Sequence, residues 1–104
     1  MKIAINASDG RFGLSPLAKE KIAERKGTRV RNLNSYRYFN RADPDLIAVV
    51  EELGAAASDS KADIHVIEIP DSVDKFSIFE YDGIEIVIEE GHFWDCGDHY
   101  EVHA

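Results

Sequence analysis

The sequence predicts an α+β fold in which two helices pack on one face of a mainly antiparallel sheet. The chain begins with a short alternating apolar run, and two later segments that begin at a proline carry apolar stripes at helical spacing. The second half contains β-rich runs separated by turn signals. The predicted order is β-α-α-β-β-β, and residues 1–104 are expected to form one domain with a single modest core.

The first strand and the first helix are predicted from local signals. In "KIAINA" the isoleucines alternate with smaller or polar neighbours, as in a short strand. Ser15 followed by Pro16 predicts a helix start, because the serine hydroxyl accepts a hydrogen bond from a free amide and proline fits the first helical position. Gly27 is typical of a helix end, so we expect a helix over 16–26.

The segment between the two predicted helices lacks a clear period. "TRVRNLNSYRYFNRA" (28–42) has neither helical nor strand periodicity and predicts an extended loop or irregular strand. Asp43-Pro44 then repeats the start signal of the first helix. "DLIAVVEELG" supplies a broad apolar face and ends at Gly54, which predicts the second helix.

The remaining strands are predicted from the second half of the chain. "AAASDSKA" is a linker of small residues, and "DIHVIEIP" is a strand ended by proline. "KFSIFEYDGIEIVIEE" predicts a hairpin, because Asp82-Gly83 between two β-rich runs is typical of a two-residue turn. On its second arm we expect isoleucines inward and glutamates outward: Ile84, Ile86 and Ile88 against Glu85 and Glu89.

Composition limits the class of protein. No apolar run approaches the roughly 18 residues that span a bilayer, and the first residues lack the apolar stretch of a secretory signal. Cys96 is the only cysteine, so it cannot form an internal disulfide, which agrees with a reducing compartment. We therefore expect a soluble, cytoplasmic protein.

The charges are divided along the chain. The net charge is −8, but residues 1–42 hold ten of the twelve Lys and Arg with three acids, giving +7, and the rest carries −15. This division predicts an anion-attracting surface and an anion-like surface on one small body. The alternative is that the two parts neutralise each other within the fold or across an oligomer.

The first candidate site is the turn "SDGRFG", which leads from the first strand to the first helix start. Free backbone amides and the positive end of a helix dipole are the ingredients of a phosphate site. The spacing Gly10-x-x-Gly13 is neither G-x-G-x-x-G nor a P-loop. Either these glycines contact a ligand, or glycine is needed there because the backbone adopts a positive φ or packs tightly. The candidate ligand-binding residues are Gly10, Arg11, Phe12, Gly13 and Ser15.

The second candidate site is the basic aromatic segment that follows the first helix. Its arginines could pair with phosphates while a ring stacks on a base. The overall acidity excludes a long nucleic acid, whereas a small nucleotide needs only a local patch. The alternative is that the aromatics are core and the arginines are solvated or paired with acids. The candidate residues are Arg29, Arg31, Tyr36, Arg37 and Tyr38.

The C-terminal residues 92–104 contain donors that would suit zinc: His92, Cys96, His99 and His103. Their spacing matches no common zinc site, so we assign no metal and no cofactor, and expect an extended or flexible tail. A Cys-His nucleophile would also lack a third orienting group. The sequence therefore predicts a protein that is not an enzyme.

Several stretches resemble a family of small uncharacterised proteins of tailed bacteriophages. The matching stretches are "MKIAIN", "GRFGLSPLAKEKIAERKG", "RADPDLIAVVEELG", "HVIEIPD" and "FEYDGIEIVIEEGHFW", in the same order and over more than half of the chain. The family favours glycine at Arg11, and many members stop after Trp94. The resemblance implies a phage accessory protein that takes over the host or counters its defences by stoichiometric binding.

The leading hypothesis is a non-enzymatic binding protein that sequesters a small anionic, nucleotide-type ligand. It is expected to form a homo-oligomer in the host cytoplasm, with no membrane and no long nucleic acid as partner. The alternative is an acidic protein-binding inhibitor that imitates nucleic acid and blocks a host defence complex such as a CRISPR effector. A third possibility is a metal-stabilised fold.

Overall fold

The computed structural model describes residues 1–33, 40–73, 76–89 and 92–94, the last of these by backbone alone. The elements are β1 (Lys2–Asn6), α1 (Pro16–Lys26), α2 (Pro44–Leu53), β2 (Ile64–Glu68), β3 (Ser77–Tyr81), β4 (Ile84–Glu89) and β5 (His92–Trp94). This confirms the α+β class and the order β-α-α-β-β-β, to which the structure adds the short β5.

The strands form two sheets rather than one. β1 and β2 pair antiparallel, and β3, β4 and β5 form a separate antiparallel sheet in that order. Ala4 and Ile64 on one face of the β1–β2 sheet belong to a core shared with α1 and α2. Ile3 and Ile67 on the other face belong to a second core with Val87 of β4. The β1–β2 sheet is therefore the central layer, with the two helices on one face, as predicted, and the second sheet on the other.

The helix α1 has the predicted bounds and the predicted caps. The Ser15 hydroxyl accepts a hydrogen bond from the Ala18 amide at 3.1 Å. Gly27 closes the helix with φ of 67°, and the Thr28 amide donates to the Ala23 carbonyl at 2.9 Å. Both ends of this helix are thus determined by residues next to it in sequence.

The helix α2 also has the predicted bounds, but its N-terminus is held differently from that of α1. The Asp43 side chain makes no capping hydrogen bond. Instead, the Lys26 ammonium group lies 2.8 Å from an Asp43 carboxylate oxygen and 3.0 Å from Asp45. The prediction that Asp43 acts as Ser15 does is therefore wrong, because a lysine at the end of α1 binds its carboxylate.

The hairpin turn is confirmed, but the predicted faces of β4 are wrong. Asp82 and Gly83 have φ of 55° and 89°, as a two-residue hairpin with both central residues at positive φ requires. Glu85 is 6% exposed and Val87 is fully buried, whereas Ile84 is 42% exposed. Because side chains alternate along a strand, burying Glu85 sends the isoleucines to the outer face.

Each of the two connecting segments contains a short 3-10 turn. A 3-10 turn covers Val30–Asn32 in the segment predicted as an irregular loop, and residues 34–39 lie outside the described part. A second 3-10 turn covers Gly54–Ala57, and an isolated bridge joins Leu14 to Ser58. Within the described ranges, no helix is long and apolar enough to cross a membrane.

Candidate functional site

The glycines of the first turn lie against the chain around residue 60. A Cβ built at Gly10 would stand 1.9 Å from the Lys61 carbonyl oxygen, and one at Gly13 would stand 2.0 Å from an Asp59 carboxylate oxygen. Neither glycine has a positive φ. Tight packing of the chain on itself therefore accounts for both glycines, and contact with a ligand stays a prediction.

The other predicted residues of this turn differ in their accessibility. The Ser15 hydroxyl donates to the Ala56 carbonyl at 2.7 Å in addition to capping α1. Phe12 is 3% exposed and belongs to the core between the helices and the central sheet. Arg11 is exposed, with φ of 75°. Arg11 alone thus presents a charged side chain to solvent among the five residues predicted there.

A buried asparagine closes the inner side of the same turn. The Asn6 side-chain amide donates to the carbonyl oxygens of Ser8 at 2.8 Å and Gly83 at 2.7 Å. Its carbonyl oxygen accepts from the Asp63 amide at 2.8 Å. One side chain at the end of β1 therefore binds the turn, the segment before β2 and the hairpin, and sequence reasoning did not identify it.

A buried ion pair lies beside this asparagine. The Arg41 Nη1 and Nη2 atoms are 2.6 and 3.0 Å from the two oxygens of Glu85. The Glu85 oxygen at 2.6 Å also accepts a hydrogen bond from the backbone amide of Asn6 at 2.9 Å. The Arg41 Nη1 atom in addition donates to the Ala4 carbonyl at 3.3 Å. The guanidinium carbon stands 3.7 Å from the centre of the Phe12 ring. Arg41 is thus removed from the basic surface, and Glu85 from the acidic one.

The fold neutralises half of the bases of residues 1–42. Five of them lie within 4.0 Å of a carboxylate of the acidic part: Lys2 with Glu51, Lys21 with Glu52, Arg25 with Asp45, Lys26 with Asp43 and Asp45, and Arg41 with Glu85. Four others have no carboxylate within that distance among the described residues: Arg11, Lys19, Arg29 and Arg31. Pairing within the fold therefore explains part of the charge division and leaves these four cations free with respect to the described residues.

Two of the free cations follow α1 directly. Arg29 and Arg31 are exposed and flank Val30, which is 40% exposed, at the 3-10 turn. A guanidinium group is always charged and can bind two phosphate oxygens at once. The remaining predicted residues of this segment, Tyr36, Arg37 and Tyr38, lie outside the described part of the chain.

The two predicted parts of the nucleotide site lie at opposite ends of α1. The glycine turn precedes the helix, and Arg29 and Arg31 follow it. An eleven-residue helix rises about 15 Å along its axis. The structure therefore does not bring Arg11 together with Arg29 and Arg31, and these arginines form the better candidate site.

The predicted metal ligands are described only in part. The backbone of His92 lies in β5, and Cys96, His99 and His103 lie outside the described residues. In the described ranges, no group of three or more His, Cys, Asp or Glu side chains could hold a metal ion. The tail site therefore stays a prediction.

An acid-base cluster joins the end of α1 to the start of α2. Hydrogen bonds to Asp43 and then to Asp45 raise the pKa of Lys26, and the hydrogen bond from Lys26 is the main cause that lowers the pKa of Asp45. The charged forms of both groups are thus favoured in the folded state. This cluster orients the helix end from which the basic segment departs.

The lowered pKa of Asp45 predicts a specific acid sensitivity. The ionised Asp45 carboxylate stabilises the folded state above the ordinary pKa of 3.8. This contribution is lost as the pH falls through the lower pKa that the group has in the folded state. Asp45→Asn should lower the melting temperature near neutral pH and flatten its fall in acid, as measured by circular dichroism from neutral pH downward. Glu20→Gln, which removes an exposed acid of α1, is the control. Equal acid profiles for Asp45→Asn and the wild type would contradict the assignment.

No protein-family model, curated protein or solved structure matches the chain. The function is therefore inferred from the residues of this chain. In the described part, the feature best suited to bind a ligand from solution is the exposed pair Arg29 and Arg31. Two guanidinium groups are suited to binding anionic groups such as phosphates.

Proposed function

We propose that the protein is a non-enzymatic binding protein that captures a small phosphate-bearing, nucleotide-type ligand on the basic segment after α1. The observation that supports this most is the sorting of charge. The fold pairs the neighbouring bases Arg25 and Lys26 with acids of α2 and leaves Arg29 and Arg31 exposed without a carboxylate within 4.0 Å among the described residues.

The physics of the pair favours a small ligand over a polymer. Each guanidinium can form a bidentate, charge-assisted hydrogen bond with a phosphate, and such bonds are stronger than neutral ones. A long polyanion would extend beyond this patch onto a body of net charge −8 and be repelled there. A mononucleotide or dinucleotide needs only a local patch, and we propose that Tyr36, Arg37 and Tyr38 complete this one by stacking and pairing.

The proposed setting rests on the sequence resemblance to small phage proteins. In that setting, stoichiometric capture of a nucleotide signal of host defence is a useful activity that requires no catalysis. We therefore propose counter-defence in the host cytoplasm as the biological role.

Isothermal titration calorimetry tests the proposal directly. The protein is titrated with cyclic dinucleotides and with ADP-ribose derivatives, and at least one of them should bind with measurable heat. The double variant Arg29→Glu with Arg31→Glu reverses both charges and should weaken that binding by about 100-fold or more. The reason is that each charge-assisted hydrogen bond contributes roughly 1.5–3 kcal/mol. The affinity of the wild type should also fall as salt is added.

A matched control separates this site from general electrostatics. Lys19→Glu reverses another cation that lacks a carboxylate within 4.0 Å in the described part, but on α1 itself. It should retain affinity within a few-fold. Absence of heat with every ligand, at a fold verified by circular dichroism, would refute the proposal. Equal losses in the Lys19 and arginine variants would refute the assigned site.

A second candidate is the acidic inhibitor that binds a basic protein surface. Glu80 and Asp82 are exposed at the hairpin, and the sequence from residue 62 to residue 89 contains a single Lys or Arg, Lys75. Glu85 does not belong to this surface because Arg41 binds it in the interior. If the protein is such an inhibitor, the double variant Glu80→Lys with Asp82→Lys should no longer inhibit the host complex. The same variant should still bind a nucleotide if the first proposal is right.

A further inference from the structure

The connection between α1 and α2 is joined at its two ends by the acid-base cluster. Residues 27–42 form this connection. The Lys26 ammonium group, on the last residue of α1, lies 2.8 Å from a carboxylate oxygen of Asp43, the residue directly before α2. Asp45 adds contacts of 3.0 Å to Lys26 and 3.1 Å to Arg25. The chain therefore leaves one helix and enters the next at points that ion pairs hold together.

The Asp43 carboxylate serves this contact rather than the start of its own helix. An aspartate at this position ordinarily accepts a hydrogen bond from a free amide of the first turn, but Asp43 makes no such bond. Its side chain is 15% exposed, against 46% for Glu51 in the surface pair with Lys2. Because solvent screens a shielded pair less than an exposed one, we expect the Lys26–Asp43 contact to be stronger than an ordinary surface ion pair.

The two arginines of the proposed site lie on a short turn that starts from this closed base. The 3-10 turn Val30–Asn32 includes the second arginine and directly follows the first, and it lies against α1. The Asn32 side chain donates to the Thr28 hydroxyl at 3.1 Å, and Leu33 packs against the core. The turn is therefore attached within a few residues of Lys26, and the positions of its arginines depend on how the end of α1 is held.

We propose that Lys26 and Asp43 are positioning residues of the ligand site, an inference that rests on the proposed function. Neither residue needs to touch the ligand, because their ion pair holds the turn in the conformation in which Arg29 and Arg31 bind phosphate. A ligand that meets an ordered turn loses less conformational entropy on binding. If the turn has that conformation only part of the time, the apparent affinity falls in proportion to that fraction.

Charge and positioning predict opposite results for Asp43→Asn, which makes this variant the decisive test. The substitution removes a negative charge near the end of α1, and charge alone would therefore strengthen the binding of an anion. Loss of positioning should instead weaken binding by about fivefold. Asparagine starts a helix as well as aspartate does, so α2 should begin at the same residue. Isothermal titration calorimetry with the same cyclic dinucleotides and ADP-ribose derivatives measures the change.

Two further variants complete the comparison. Glu24→Gln removes an exposed acid in the last turn of α1, outside the cluster, and should leave the affinity unchanged or slightly higher. Lys26→Arg keeps a cation that can bind both carboxylates and should retain the affinity within about twofold.

Backbone order parameters from NMR relaxation of the protein without ligand test the positioning by itself. The turn is closed by hydrogen bonds from two amides, at 2.9 and 3.0 Å. The order parameters of these amides, Asn32 and Leu33, should fall in Asp43→Asn. In Glu24→Gln they should not change, and the Ser15 amide at the other end of α1 should keep its value in both variants.

The two proposals fail in different ways. If the wild type binds none of the probes, the proposed function falls, and the order parameters alone decide whether the Lys26–Asp43 pair orders the turn. Unchanged order parameters in Asp43→Asn, or binding by this variant that is as tight as that of the wild type or tighter, would overturn the positioning role and leave the ligand site in place.

Discussion

Replacing Arg41 by alanine is expected to reduce the free energy of unfolding by about 3–5 kcal/mol, because it leaves the Glu85 carboxylate buried without its cation. The guanidinium makes two hydrogen bonds to Glu85, at 2.6 and 3.0 Å, and both side chains are buried. Urea denaturation followed by circular dichroism measures the loss. In Arg41→Ala, folded structure should remain in the absence of urea only if the two sheets stay packed without the Arg41–Glu85 pair.

Two controls separate this effect from charge loss in general. The double variant Arg41→Met with Glu85→Leu removes both charges and should recover much of the stability, since an apolar replacement of a buried pair is often neutral or stabilising. Lys21→Met breaks a surface pair, with Glu52, and should shift the urea midpoint little. If Arg41→Ala were as mild as Lys21→Met, the buried pair would not have the role assigned to it.

Alanine at Gly10 or Gly83 is expected to destabilise the fold by about 3 kcal/mol or more, because the added methyl group meets backbone that cannot move away. At Gly10 it would stand 1.9 Å from the Lys61 carbonyl oxygen, and at Gly83 it would stand 2.6 Å from the Asp9 carbonyl group. Gly83 additionally has φ of 89°, which an alanine adopts only with strain. Thermal and urea unfolding of each variant measure the effect.

Gly27 provides the matched control for these substitutions. It also has a positive φ, of 67°, but a Cβ there meets nothing within 4 Å. Gly27→Ala should therefore cost only about 1 kcal/mol, which is the strain of the left-handed conformation alone. Comparable losses at Gly27 and Gly83 would show that backbone strain, and not the close approach to Asp9, determines the need for glycine.

The helices were predictable because their signals are local. Ser15, Pro16 and Gly27 each act on a neighbouring turn of backbone, and the structure has the bounds that they indicate. The Asp82-Gly83 turn was predictable for the same reason, since two positive φ angles select these residues. The helix pair and the hairpin, which determine the fold class, could therefore be read from short stretches.

The faces of β4 were not predictable from its own residues. Alternation permits two orientations, and the transfer of isoleucines from water favours burying Ile84 and its companions. The opposite orientation is found because Arg41, 44 residues away, binds Glu85 in the interior. Likewise, Arg29 and Arg31 could be selected as candidates from the sequence, but their separation from Arg11 depends on the length of α1 and on which acids the neighbouring bases meet.

The contacts of Asn6 have a consequence for how the chain folds. The backbone amide of Asn6 forms a hydrogen bond with Glu85, 79 residues later in the sequence. The Asn6 side chain forms hydrogen bonds with Gly83 and Asp63, which are 77 and 57 residues later. Closing loops of this length costs conformational entropy before any contact compensates for it. We therefore expect the helices to form from local signals before the contacts that join the central β1–β2 layer to the hairpin sheet, because those contacts require nearly the whole chain.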